Sequence, residues 1–317
     1  MESVNPVRVA VVGAGYMARE HLRAFNACSD VKLVGIHSRS QYRAQELANC
    51  YPGMQVATSI AQLYDQTNAD LVVVAVPELA CLAVCEQAFQ HPWTLLVEKP
   101  VGYNLSQARQ IEKLAASSKL NVYVALNRRF YGSTLQLFKA IRNIDSPRLV
   151  TILDQEDANA ALAAGQPMEV VRHWMYANSI HLIDYFSQLC RGAHLATHVL
   201  TPWRASTPGP VIAQLQFSSG DLGLYEAVWN APGPWSVAVS TKELRAELRP
   251  IEQLSLQTAG SRKTVSQQLD LEDQKFKPGL LRQAQEAVLA ARGEANSLPT
   301  LTEANSSMAL VASIYGI

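Results

Sequence analysis

The chain has 317 residues, 48% of them hydrophobic and 17% charged, with 27 Lys+Arg against 27 Asp+Glu. That length fits about two domains, and that apolar share excludes a disordered chain. A formal net charge of zero leaves no polycationic face to hold nucleic acid or anionic lipid, so neither is expected as a partner.

The opening residues, Met1-Glu-Ser-Val-Asn-Pro, lack the basic and apolar regions of a leader. The apolar run Leu71 to Val76 is far too short to cross a bilayer. The five cysteines, Cys28, Cys50, Cys81, Cys85 and Cys190, are odd in number and scattered. They read as free thiols in a reducing compartment rather than as disulfides or a metal site. A cytoplasmic protein is expected.

Val7–Val12 reads as a strand, Met17–Ala27 as a helix, Val31–Ile36 as a strand and Gln41–Cys50 as a helix. Thr58-Ser-Ile leads into a short helix through Tyr64. Then come the strand Leu71–Val76, a helix over Leu79–Gln90, the strand Thr94–Val97, a helix over Leu105–Ser117 and the strand Asn121–Leu126. Near-continuous apolar strands alternating with helices predict a doubly wound parallel sheet covered on both faces.

The pattern changes after residue 126. Arg148–Leu153 reads as a strand, the Ala-rich Asp157–Gly165 as a helix-prone loop and Trp174–Leu189 as a helix. Apolar alternation at Val211, Ala213, Leu215 and Phe217 turns at Ser218–Asp221 and resumes over Leu222–Trp229. Trp235–Thr241 and Glu243–Leu248 suggest another hairpin, and Gly279–Arg292 and Leu301–Tyr315 closing helices. Period-two runs joined by tight turns predict a large, mostly antiparallel sheet in an α+β domain. The expected division is a dinucleotide-binding domain over 1–126 and a substrate-binding and oligomerisation domain over 127–317.

Gly13-Ala14-Gly15-Tyr16-Met17-Ala18 matches G-x-G-x-x-A between the first strand and the first helix. Gly13 permits the tight turn, Gly15 lets the backbone approach a pyrophosphate, and Ala18 lets the helix lie close to the sheet. The helix N-terminus then offers N–H groups to the phosphates. An acidic residue normally stands about 20 positions further on, to bind the adenosine ribose. Ser38 stands there instead, followed by Arg39. A hydroxyl and a guanidinium suit a 2′-phosphate, so NADP(H) is expected in preference to NAD(H).

Two further motifs carry possible chemistry. Glu98-Lys99-Pro100 follows the fifth apolar run, where an open α/β sheet presents its ligands. His173-Trp174-Met-Tyr-Ala-Asn178-Ser-Ile-His181-Leu-Ile-Asp184 puts His181 and Asp184 three apart on one helix side. A single histidine on such a helix is more often structural than catalytic.

With these residues in place the chain resembles the Gfo/Idh/MocA family of oxidoreductases. The matching pieces are Gly13-Ala-Gly15-Tyr-Met with His21, Asp70 to Pro77, Glu98-Lys99-Pro100, Asn127-Arg128-Arg129-Phe130 and His181-x-x-Asp184; Leu248-Arg-Pro250 and Phe276-Lys-Pro-Gly279 match loosely. The resemblance implies a Rossmann domain followed by the α+β domain. It implies hydride transfer between nicotinamide and a secondary alcohol or ketone of a sugar, sugar acid, cyclitol or nucleotide sugar. Lys99 would stabilise charge on the reacting oxygen, His181 would exchange the hydroxyl proton, and Asp184 would orient the ring or touch substrate.

Gly13 to Met17, Ser38, Arg39, Pro77, Glu98, Lys99 and Asn127 would bind cofactor. Lys99, Arg128, Trp174, Asn178 and His181 would contact substrate, with no metal, and Pro100 would follow a cis peptide. The open sheet face would make a homodimer or homotetramer. Two positions depart from the family pattern. Ala177 stands where many members carry Asp, with Asn178 beside it, and Cys81 stands where members often have His. These departures keep open a non-catalytic, dinucleotide-sensing regulator of the same fold, or a biliverdin-reductase-like reductase.

Overall fold

A computed structural model describes residues 5–317; Met1–Val4 of the opening stretch read above for a leader lie outside the described residues. Val9–Val12, Leu71–Val74 and Leu95–Val97 are all buried, which is the burial of a sheet covered on both faces. The elements run β1 Val7–Val12, α1 Tyr16–Asn26, β2 Val31–His37, α2 Gln41–Ala48, β3 Gln55–Ala57, α3 Ile60–Thr67 and β4 Leu71–Val74. They continue as α4 Cys81–Ala88, β5 Thr94–Glu98, α5 Leu105–Ser118 and β6 Val122–Ala125. The six strands are ordered β3-β2-β1-β4-β5-β6, all pairs parallel. Strand order reverses between β1 and β4, and the crevice at such a switch point is where ligands of open α/β sheets bind. Ser40 and Asn104 cap α2 and α5 by accepting from the backbone N–H groups of Arg43 and Gln107, which fixes both helix starts.

The second set comprises α6 Gly132–Ile141, β7 Leu149–Glu156, α7 Ala158–Ala163, α8 Met168–Arg172, α9 Ile180–Leu189 and β8 His194–Thr201. After them come β9 Val211–Phe217, β10 Leu222–Trp229, β11 Ser236–Ser240, β12 Leu244–Leu248, β13 Leu254–Thr258 and β14 Val265–Ser266. Their eight-stranded sheet is ordered β14-β13-β12-β11-β7-β10-β9-β8. It is antiparallel except where β10 runs parallel to β7. The expected fold class is therefore present in both parts. α6 packs on β12 and β13, and α9 on β7 and β11.

The chain closes with α10 Leu271–Lys275, α11 Leu280–Ala291 and α12 Leu301–Tyr315. Two compact units result: Met1–Asn127 with Lys275–Asn305, and Arg128–Gln274 with Ser306–Ile317. A cut at 126 into two continuous segments misses this return. Its cause is local: Ala284, Ala287 and Val288 of α11 are buried as the helix packs on α1, β4 and β5.

Two further local differences stand out. Ala158–Ala163 is a helix rather than a loop, because Asp157 caps it by accepting from the Ala160 N–H. The helix expected over Trp174–Leu189 is interrupted by a π-turn at Met175–Ser179 before α9. No described helix is long and apolar enough to cross a membrane.

Candidate active site

In the first unit the glycine turn has the geometry that its sequence demands. Gly13 has φ +123°, and a Cβ there would lie 2.0 Å from the Ala75 carbonyl oxygen. Its N–H donates to the His37 carbonyl at 2.8 Å, tying the turn to β2. A Cβ on Gly15 would meet nothing within 4 Å, so space lies open above the turn. Gly15 is also the N-cap of α1 and gives the helix no side-chain cap. Uncapped N–H groups at a helix start facing open space fit a pyrophosphate.

Beside this turn is a pocket of about 290 Å³ lined by Ala14, Gly15, Tyr16, Arg19, Arg43, Glu46 and Leu47. Ser38 and Arg39 occupy the exit of β2, with Arg39 exposed. The Ser38 hydroxyl accepts from the Ser40 N–H at 3.3 Å. Arg19 and Arg43 were not singled out by the motif. Their signal was faint: Arg19 stands one turn into α1, directly after the fingerprint, and Arg43 in the first turn of α2, beyond β2.

Glu98 ends β5 and is 8% exposed. Its Oε1 lies 2.7 Å from Nε2 of buried His21 on α1, and its Oε2 accepts from the Lys99 N–H at 3.1 Å. The carboxylate expected to bind cofactor is thus engaged in holding the backbone that carries Lys99. Lys99 itself is half-buried, and its bond to Pro100 is cis.

Pro77, exposed, leads the 3-10 turn Glu78–Ala80 at the exit of β4. Cys81 begins α4 with its sulfur 4.0 Å from that of Cys85. The segment Lys275–Gly279 returns to this edge of the unit. Asn127 donates to the Pro278 carbonyl at 3.1 Å, and the Lys277 ammonium lies over the Tyr16 ring at 5.3 Å. The structure therefore gathers Gly13–Met17, Ser38, Arg39, Pro77, Glu98 and Lys99 at the carboxyl edge of one parallel sheet.

In the second unit Arg128 is buried, with its guanidinium over the Trp235 ring at 4.3 Å. Its Nη1 is buried without a hydrogen-bond partner. Asn178 and His181 are half-buried, on the π-turn and on α9. π-turns of this kind recur at functional sites. Trp174 is half-buried at the head of the turn.

Asp184 is 4% exposed, and its two oxygens accept from Arg129 at 2.8 and 2.7 Å and from the Ser307 hydroxyl at 2.6 Å. Those partners lie 55 and 123 residues away along the chain, so spacing on the helix could not reveal them. They make Asp184 part of a buried ion pair.

Residues 7–126 match the model of an oxidoreductase family with an NAD-binding Rossmann fold. Inositol 2-dehydrogenase of Rhizobium meliloti (strain 1021) is 26% identical over 152 residues, covering 47% of this chain and 46% of that relative. Across three curated relatives the match spans 37%, 46% and 40% of their own lengths. Among solved structures, a dehydrogenase from Chromobacterium violaceum superposes with a TM-score of 0.85 at 17% identity, covering 99% of this chain and 95% of that one. The UDP-N-acetylglucosamine 3-dehydrogenase GnnA from Acidithiobacillus ferrooxidans gives 0.79 at 16% identity, covering 99% of both. At such identities the structural likeness speaks for the fold. The dinucleotide-binding part of the chain, residues 7–126, is thus similar to the Gfo/Idh/MocA oxidoreductases.

Proposed function

We propose that the chain is an NAD(P)-dependent oxidoreductase acting on a secondary alcohol or ketone of a sugar, sugar acid, cyclitol or nucleotide-linked sugar. The observation that carries this reading is the common edge of the parallel sheet. There the uncapped α1 N-terminus follows β1 and Lys99 follows β5, whose backbone Glu98 and His21 hold. When bound, the dinucleotide supplies or takes the hydride. Gly13–Met17 bind its phosphates, with Pro77 and Asn127 alongside. Lys99 stabilises negative charge on the reacting oxygen, and His181 takes or returns the hydroxyl proton.

Arg128 and Asn178 are assigned to substrate, with Trp174 as an apolar platform. The unpartnered buried Nη1 of Arg128 supports that assignment, because a buried donor without a partner is costly unless a ligand satisfies it. The names of the relatives, inositol 2-dehydrogenase and UDP-N-acetylglucosamine 3-dehydrogenase, agree with a polyhydroxylated ring.

NADP(H) is the preferred cofactor in this reading. Ser38 and Arg39 replace the usual carboxylate, and Arg19 and Arg43 add positive charge around the adjoining pocket, against one carboxylate from Glu46. A second copy of the chain covers the open face of the eight-stranded sheet, where Leu222 is exposed on β10 and Leu195 and Leu200 on β8. Sedimentation then gives a dimer or tetramer, and a monomer at micromolar concentration removes this point.

The functional test is a panel of sugars, sugar acids, cyclitols and nucleotide sugars with both nicotinamide cofactors, followed at the reduced-nicotinamide band. Substrate-dependent change with NADP supports the reading. Tight dinucleotide binding with no turnover across the panel favours the sensor, to which Ala177 in place of a carboxylate lends weight.

A further inference from the structure

The alternation of β7 should bury apolar side chains, yet it sends Asp154 and Glu156 into the interior beside Val150 and Ile152, at 2% and 0% exposure. Neither has an ion-pair partner among the described residues; the nearby Arg128 guanidinium lies over Trp235. Their partners are neutral. Tyr225 of β10 donates to Asp154 Oδ2 at 2.7 Å, Ser179 to Glu156 Oε1 at 2.9 Å and Asn178 to Glu156 Oε2 at 2.9 Å. The Tyr315 hydroxyl of α12 joins Tyr225 at 2.9 Å and Ser179 at 3.1 Å.

One atom is left over. Asp154 Oδ1 is buried and accepts from no donor, while Glu156, two residues further along β7, lies on the same buried face. Two ionised carboxylates side by side there would repel, whereas a proton on Glu156 donated to Asp154 satisfies the orphaned oxygen. The direction agrees. Burial raises Asp154, and burial followed by the Asp154 charge holds Glu156 well above the ordinary carboxylate range. The charged and titratable groups facing the pair are Arg128, Tyr225 and Tyr315.

We propose that Glu156, protonated and hydrogen-bonded to Asp154, is a positioning residue that fixes the Asn178 amide and so sets which substrate hydroxyl this helix turn accepts. With Nδ2 committed to Glu156, the Asn178 Oδ1 has a fixed direction and serves as an acceptor. A carboxylate from β7 thereby acts through the turn whose own position 177 carries alanine. This rests on the oxidoreductase reading for Asn178, although the carboxyl pair itself does not.

The test compares wild type, Glu156→Gln and Glu156→Leu as full chains. Glutamine keeps a neutral side chain whose single carbonyl oxygen accepts from Asn178 while its NH₂ donates to Asp154, the Ser179 hydroxyl turning to Tyr315; leucine removes the anchor. The Asn178 side-chain NH₂ signals, assigned by their loss in Asn178→Ala, are followed by ¹⁵N NMR across pH. We expect them dispersed and constant in wild type until Glu156 ionises, dispersed and pH-independent in Glu156→Gln, and collapsed to the free-amide position in Glu156→Leu.

With myo-inositol as probe on the NADP-loaded protein, the apparent Kd should rise about tenfold in Glu156→Leu, the size of one lost hydrogen bond. It should stay within about twofold in Glu156→Gln, with NADP affinity constant throughout. An Asn178 signal indifferent to both variants, or equal loss in Glu156→Gln and Glu156→Leu, overturns the proposal. If myo-inositol binds neither wild type nor variant, the cyclitol as substrate class is removed, and the NMR comparison then decides the role of Glu156.

Discussion

The glycine turn of the first unit and the helix turn of the second are held in shape by different means. The first is made of backbone: Gly13 at φ +123°, an uncapped helix start and a 2.8 Å bond to the His37 carbonyl. The second is made of side chains brought from far along the chain. Asn178 and Ser179 rest on Glu156, Ser179 reaches Tyr315, and Asp184 is held by Arg129 and Ser307. A backbone site tolerates almost any side chain except at its glycines. A side-chain site has no privileged short motif and fails wherever one partner is lost.

The sharpest way to break this comparison is at the glycines. Gly13→Ala forces positive φ and a clash with the Ala75 carbonyl, and should cost about 3 kcal/mol or more. Thermal unfolding should show it even without cofactor. Gly15→Ala has φ −90° and open space, so its melting temperature should hold while dinucleotide affinity falls. Equal destabilisation by both would mean that the turn serves packing alone.

In the second unit Arg129→Met leaves Asp184 buried without its cation and should cost about 3–5 kcal/mol by denaturant titration. Adding Asp184→Asn should recover part of that loss. An unchanged midpoint in the single variant would show that the pair is dispensable.

A smaller effect separates the units by pH. Glu156 has a raised folded pKa, so the folded state holds its proton longer than the unfolded chain does. Its contribution is complete below the unfolded value of about 4.3 and is lost as pH rises through the folded value. Wild type should therefore lose melting temperature relative to Glu156→Gln as pH rises above that range. Parallel curves would place no proton on the pair.

The smallest effect tests the cofactor pocket. Arg39→Ala should weaken NADPH about tenfold, near 1.4 kcal/mol, and Arg43→Ala somewhat less, with NADH unchanged in both. Fluorescence titration reads both constants.

The same contrast explains what the sequence revealed. Gly13, Gly15 and Ala18 are a local pattern with a steric reason for each residue, and the flanking strands are apolar throughout. The antiparallel hairpin at Val211–Trp229 was equally plain, since β9 and β10 bury alternate residues. β3, with three residues, and β8, half-exposed and with two breaks in register, carried too little periodicity. α6 begins Gly-Ser-Thr, poor helix formers that gave no signal. The π-turn was invisible because Met175, Tyr176, Ala177 and Ser179 are all buried, which blurs any period. The Asp154–Glu156 pair looked like two polar residues at a strand end, because nothing nearby in the chain announces Ser179, Tyr225 or Tyr315.

The oxidoreductase assignment is tested most directly by Lys99→Met, once a turned-over substrate is in hand. Single-turnover reduction of NADP and the NADPH dissociation constant are measured on the same preparation as wild type. The assignment predicts a fall in hydride transfer of at least about a hundredfold, the size of one lost charge-stabilising donor, with the dissociation constant unchanged. Undiminished transfer in Lys99→Met would contradict it.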